Sequence, residues 1–209
     1  MALRRMLPAH SERTSRAGFL QRTALVGGGL AAGGIVAGGL SQHAASALSP
    51  AQDVRVLNLV LELEYLEVAF YEDAVARGAI AGELLEFATI VGGHERQHVE
   101  FLRGTLGSQA VAQPRFQLGD ATRDPQAFTQ AAIALEDTMV AAYNGQATNL
   151  TPAALGAAAR IVSVEARHAA WIRDIAGETP AEDATDAPLT EREVRSTLAR
   201  AGLRKRGGP

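Results

Sequence analysis

Between residues 49 and 176 the apolar positions recur at alternating steps of three and four, the spacing of helices that each bury one stripe, while period-two alternation is scarce. Ser49-Pro50, with Gln52 behind it, opens a first helix that runs unbroken to Gly78. Its stripe reads Val54, Leu57, Leu61, Glu64, Val68, Tyr71. A second helix, from about Gly82 to Leu106, reads Leu84, Ala88, Val91, Glu95, His98, Leu102. From Gly107 to Asp124 the periodicity stops and Pro114 and several glycines enter, a stretch long enough to cross the length of a bundle and to set helix three parallel to helix two. Asp124-Pro125 opens a third helix to Tyr143, and Thr151-Pro152 a fourth to about Ala176, before Gly177. Thr190 to Glu193 forms a capping box for a short fifth helix, expected outside the bundle. The pattern predicts an all-α protein: four bundle helices, a long crossover between the second and third, and a short C-terminal helix.

The two hairpins repeat. Leu63-Glu64, Val68-Ala69 and Tyr71 return 72 residues later as Leu135-Glu136, Val140-Ala141 and Tyr143. Glu95, His98, Phe101, Leu102 and Arg103 return after 70 as Glu165, His168, Trp171, Ile172 and Arg173. Pseudo-twofold symmetry between the hairpins would bring four polar seams to one level of the core.

Those seams carry the candidate chemistry. In Glu95-x-x-His98 and Glu165-x-x-His168, a spacing of three puts carboxylate and imidazole on one helix face, within reach of one ion. With Glu64 and Glu136 the set holds four carboxylates and two imidazoles, enough negative charge to balance two divalent cations. One Glu-x-x-His is weak evidence, because a solvated surface pair at that spacing is common. Here two of the three histidines beyond residue 47 carry it. Without metal the buried carboxylates would repel one another, and the site is expected to be partly protonated or locally loosened. Cysteine is absent, so only oxygen and imidazole ligands remain for strong metal chemistry.

This pattern, with a tyrosine seven residues after each lone glutamate, resembles the ferritin-like family, and within it the exported bacterial ferritin-like domain proteins. The resemblance covers roughly residues 50 to 176. It implies two iron or two manganese ions, with Glu64 and Glu136 as terminal ligands, Glu95 and Glu165 bridging, and His98 and His168 binding one metal each.

Neighbouring residues carry less. His94 points about 100° from the Glu95 direction and reads as a surface group or one supporting a ligand. Glu67 and Glu72 are expected on the solvated bundle edge. Tyr71 and Tyr143 read equally as core packing or as donors to the carboxylates. Gly92-Gly93 suggests close helix approach or a kink beside the site.

Residues 1–47 read as a signal peptide: Arg4, Arg5, Arg13, Arg16 and Arg22 precede the weakly apolar Ala24–Leu40 stretch, and Ala45-Ser46-Ala47 offers a cleavage pattern. Seven glycines weaken that stretch as a membrane span. Ser15 to Gln21 resembles a twin-arginine export signal, with Ala17 where the second arginine belongs. The domain reading is therefore a leader at 1–47, a bundle at 48–177 and a C-terminal segment at 178–209, in an exported, periplasmic or otherwise extracytoplasmic protein with no stable membrane span once processed. The whole chain has a formal charge of −3; without five leader arginines and Glu12, 15 basic face 22 acidic residues, or −7. That charge argues against nucleic-acid partners and suits cation capture. The basic tail Arg204-Lys205-Arg206 reads as a frayed end.

Three functions stay open: a ferroxidase or catalase-like, peroxide-consuming oxidoreductase acting with dioxygen or peroxide; a non-catalytic metal-binding or stress-protective bundle; and a purely structural module. A homo-oligomer is compatible with each, and nothing in the sequence specifies a cage.

Overall fold

The computed structural model describes residues 49–205. The leader reading at 1–47 and the tail beyond Lys205 lie outside that range. Five helices appear in the described residues: α1 (Pro50–Arg77), α2 (Gly82–Leu106), α3 (Pro125–Gln146), α4 (Pro152–Ala176) and α5 (Glu191–Arg200). Ser49 Oγ accepts from the Gln52 amide at 3.3 Å to start α1, and Gly78, at φ 63°, ends it in the left-handed conformation a glycine adopts without penalty.

The hairpins α1–α2 and α3–α4 form the bundle. Asp53, in the first turn of α1, accepts from the Thr151 amide at 2.8 Å and from its hydroxyl at 2.6 Å. The starts of α1 and α4 therefore share one end of the bundle. Each hairpin reverses direction, so α2 and α3 run parallel, as the crossover length predicts. Thr151 itself makes no side-chain cap on α4, contrary to the expectation from Thr151-Pro152, because its hydroxyl is engaged by Asp53.

Asn58 pins the crossover to α1: its amide donates to the Gln109 carbonyl at 2.9 Å, and its oxygen accepts from the Val111 amide at 2.8 Å. A two-residue ladder then joins β1 (Phe116–Gln117) to β2 (Arg204–Lys205), antiparallel, with Phe116 opposite Lys205. Residues 204–205 thus pair with the crossover instead of fraying. Short paired segments of this kind are invisible to a search for alternating strands.

Helix α5 lies outside the bundle against α3, with Val194 and Leu198 buried and Arg195 3.1 Å from Glu62 of α1. The predicted capping box is present, the Thr190 hydroxyl meeting the Glu193 amide while Glu193 accepts from the Thr190 amide. Leading into α5, Leu189 donates its amide to the Ala141 carbonyl at 3.0 Å. This lashes the C-terminal segment onto α3 at Gly145, where an added Cβ would overlap the Leu189 carbonyl.

Among the described residues no helix is long and apolar enough to cross a membrane. Aromatic rings fill the core beside the polar level: Phe70 and Phe128 stack at 5.1 Å, and Tyr71 stands edge-on to Phe70, Phe87 and Phe128.

Gly145→Ala would gain about 1 kcal/mol of helix propensity. The overlap with Leu189 is a backbone clash of the kind that costs about 1–3 kcal/mol. The expected result is net loss: a lower melting temperature and faster proteolysis within residues 178–190. Unchanged stability and protection would mean the C-terminal segment is not held there.

Candidate metal centre

Each bundle helix brings acidic or imidazole side chains to the centre of the core. Glu64, Glu67, Glu95, Glu136 and Glu165 are 0% exposed, His168 3% and His98 9%. The seam arithmetic places all six predicted residues together. It misplaced one other, Glu67.

The two imidazoles face the carboxylates through Nδ1. His98 Nδ1 lies 2.7 Å from Glu95 Oε2, 2.9 Å from Glu165 Oε1 and 3.2 Å from Glu64 Oε2. His168 Nδ1 lies 3.1 Å from Glu95 Oε1, and 3.6 Å from both Glu165 Oε2 and Glu136 Oε2. Glu95 and Glu165 therefore each direct one oxygen to either imidazole, whereas Glu64 meets only His98 and Glu136 only His168. The arrangement has two halves with two carboxylates spanning them.

The tyrosines brace it reciprocally. Tyr143 of the second hairpin donates to Glu64 Oε1 of the first at 2.6 Å, and Tyr71 of the first donates to Glu136 Oε1 of the second. Burial, with the charge of Glu136 beside Tyr71 and of Glu64 beside Tyr143, pushes both phenols well above 10, so they remain donors. Gly92 lets α2 approach: an added Cβ would lie 3.0 Å from Tyr71 Cβ. Gly93 has no such neighbour, its added Cβ meeting only an Arg96 side chain at 3.8 Å.

Glu67 is a correction. Expected at the solvated edge, it is wholly buried, and one of its oxygens lies within 4.8 Å of ligand atoms of Glu136 and Glu165. The signal was present, since Glu67 follows Glu64 by three and precedes Tyr71 by four, both same-face spacings. A buried helix face is about 100° wide, broader than the strict seam. Glu72 does sit in solvent, 3.2 Å from Arg96. His94 takes the supporting position that was one of its two expected roles: its Nδ1 lies 2.9 Å from His168 Nε2, and the rings stack at 5.1 Å. It precedes His98 by one helical turn, which places the two on one face.

Among the described residues, seven buried side-chain atoms have no hydrogen-bond partner. They are both oxygens of Glu67 and of Glu165, one oxygen each of Glu95 and Glu136, and His168 Nδ1. All seven belong to this cluster. Orphaned buried polar atoms cost about 1–3 kcal/mol each, more when charged. Their donor chemistry suits a hard or borderline divalent cation. Neighbouring donors around such an ion, with bonds of about 2.1 Å at right angles, are roughly 3 Å apart, which is the separation seen around His98 Nδ1. The three compact groups of donors are Glu64, Glu95, His98 and Glu165; Glu95, Glu136 and His168; and Glu67, Glu136 and Glu165.

In the metal-free protein the charges settle by proton uptake. Burial pushes Glu64 and Glu67 well above 4.5, aided by the charge of Glu165, and Glu136 to about 8. Burial alone would lower both histidines, but the carboxylates outweigh it: Glu165 and Glu64 for His98, Glu136 and Glu165 for His168, each held at about 12. Burial likewise opposes ionisation of Glu95, yet His168 and His98 hold it at about 2.

Fold and cluster define a four-helix bundle with a buried carboxylate–imidazole centre compatible with metal binding. The chain belongs to the ferritin-like domain family, whose model matches residues 52–178. None of the curated proteins matches it.

The proton affinities set a pH dependence. Folding raises the affinity of Glu136 from 4.5 to about 8, a destabilisation that grows with pH across that interval. For His98 and His168, raised from 6.5 to about 12, a stabilisation complete below 6.5 fades as pH rises. Glu95 acts oppositely, but its contribution is complete above 4.5 and is lost only toward pH 2. Melting of the chelator-treated protein should therefore shift steadily downward from about pH 5.5 to about pH 9. Metal-loaded protein should resist the change, because cations replace the protons. A metal-free melting temperature that is flat or rising across this range would contradict the charge assignment.

Proposed function

We propose that this is an exported ferritin-like protein that holds two iron or manganese ions and acts as a ferroxidase or peroxide-consuming oxidoreductase. Glu64, His98 and Glu136, His168 would each serve one ion, with Glu95 and Glu165 shared. The observation that carries this reading is the double set of contacts made by Glu95 and Glu165, one oxygen toward each histidine Nδ1, in a cluster that contains every orphaned buried polar side-chain atom described.

Bound there, a pair of redox metals supplies electron transfer to dioxygen or peroxide without an organic cofactor. The protein's own part is to hold and shield. Tyr143 and Tyr71 fix the Glu64 and Glu136 carboxylates through their Oε1 atoms, leaving Oε2 turned to the histidines. The surrounding apolar core excludes water, so the carboxylates act at low dielectric. His98, the most exposed member of the cluster, and half-buried His94 mark the α2 face as the side nearest solvent.

Export is supported by the arginine-rich start, the apolar stretch and the Ala45-Ser46-Ala47 pattern. The N-terminus of protein recovered from the extracytoplasmic fraction should begin at Leu48; recovery of uncleaved chain from the cytoplasm alone would count against export. A twin-arginine route would carry the protein folded, with metal acquired before crossing.

Near-complete burial of the cluster supports a second reading, metal binding without turnover. Metal analysis of the purified chain against a His98→Ala, His168→Ala double variant is the primary test. About two iron or manganese ions per chain, lost in the variant, is the expected result. Steady consumption of peroxide or dioxygen by the loaded protein then selects the oxidoreductase over the passive binder. Substoichiometric metal that the double substitution leaves unchanged, even after anaerobic loading with Fe(II) and Mn(II), would remove both.

A further inference from the structure

Of the acidic and imidazole side chains at the centre, two lack a counterpart in the pseudo-twofold repeat, and both fall on the same half. Glu67 has Met139 as its counterpart 72 residues on, and His94 has Val164 as its counterpart 70 on. Glu67 approaches Glu136 and Glu165, and His94 stacks on His168. The half around His98 receives neither addition.

We propose that Glu67 is a further metal ligand, acting with Glu136 and Glu165 on the His168 half, so that the centre binds its two cations unequally. This rests on the two-metal reading above.

The alternative role for Glu67 is a buried carboxylic acid that merely fills space. Two observations oppose it. A protonated carboxyl would need an acceptor for its proton and a donor to its carbonyl, yet neither Glu67 oxygen has a partner. The fold also does not require a carboxylate at that depth, since Met139 occupies the related position, 0% exposed, on the other hairpin. A cation between Glu67, Glu136 and Glu165 would take one oxygen from each and give Glu67 the partner it lacks. The added carboxylate strengthens that half alone, because the related position on the other side carries a thioether, a poor ligand for hard cations.

The test is an anaerobic Co(II) titration of the full chain, followed by visible absorbance, for the native protein and for Glu67→Gln and Glu67→Met. The native chain should bind two ions in separable steps. Both variants should weaken one step by roughly 10–100-fold, the range seen when groups supporting a metal are removed, and alter its absorption band, while the other step stays within about threefold. Glu67→Met copies the residue already tolerated at the symmetry-related position, so it carries the test if Glu67→Gln folds poorly. Its metal-free form should also melt higher than native.

Two native ions whose binding is untouched by either substitution would overturn the role of Glu67 and leave the two-metal reading standing. Equal weakening of both steps would overturn the inequality. Failure of the native chain to bind Co(II) would overturn the two-metal reading itself, and Glu67 with it.

Discussion

Five carboxylates and two imidazoles share one level of a core built mainly from aliphatic and aromatic side chains, and the expense of that buried charge constrains the rest of the molecule. Among the described residues, the ion pairs within the cluster are made by His98 and His168 and by no arginine. Neutralisation must come from protons or from cations, and the two solutions leave different proteins. With protons, Glu136, pushed to about 8, is largely neutral near pH 7 and burial drives Glu64 and Glu67 in the same direction, while Glu95 stays ionised between two imidazolium rings. This arrangement folds, but it leaves seven atoms without a hydrogen bond: five are held only by the carboxylate–imidazole contacts, and the two Glu67 oxygens have not even those. Cations would meet the same atoms and release the protons.

Such a cluster holds its shape only if its members cannot relax apart. The hairpins supply that restraint by crossing over: a tyrosine on each orients the lone glutamate of the other. The restraint depends on close backbone packing, because Tyr71 is positioned by Gly92 behind it and by Phe70, Phe87 and Phe128 around it. At the far periphery, Asp53 with Thr151 and Asn58 with the crossover fix how the two hairpins meet. Side-chain hydrogen bonds of modest individual worth thereby set the register on which the buried charges depend.

Helix order, the crossover and six members of the cluster could be read from the chain because each follows from a local rule: a stripe period, a cap, or a spacing of three. Glu67 was misread for a geometric reason. A seam drawn as a single line assigns each residue to inside or edge, whereas an inner face spans enough arc to admit a second residue per turn. Thr151 was misread because its partner, Asp53, lies 98 residues away in sequence. The pairing of residues 116–117 with 204–205 depends on two segments far apart in sequence being brought together by the fold, and no local pattern encodes it.

The repeat explains why asymmetry is tolerated. What the two hairpins keep in common is the Glu–Tyr spacing and the Glu-x-x-His pair, the features that couple one hairpin to the other. Glu67 and Met139 lie on the same buried face but make no hydrogen bond to the opposite hairpin. Substitution there changes the charge of one half without loosening the brace. A core built as two reciprocal copies can thus differentiate its halves at the positions that do not hold the copies together, which places chemical specialisation at Glu67 and mechanical support at Tyr71 and Tyr143.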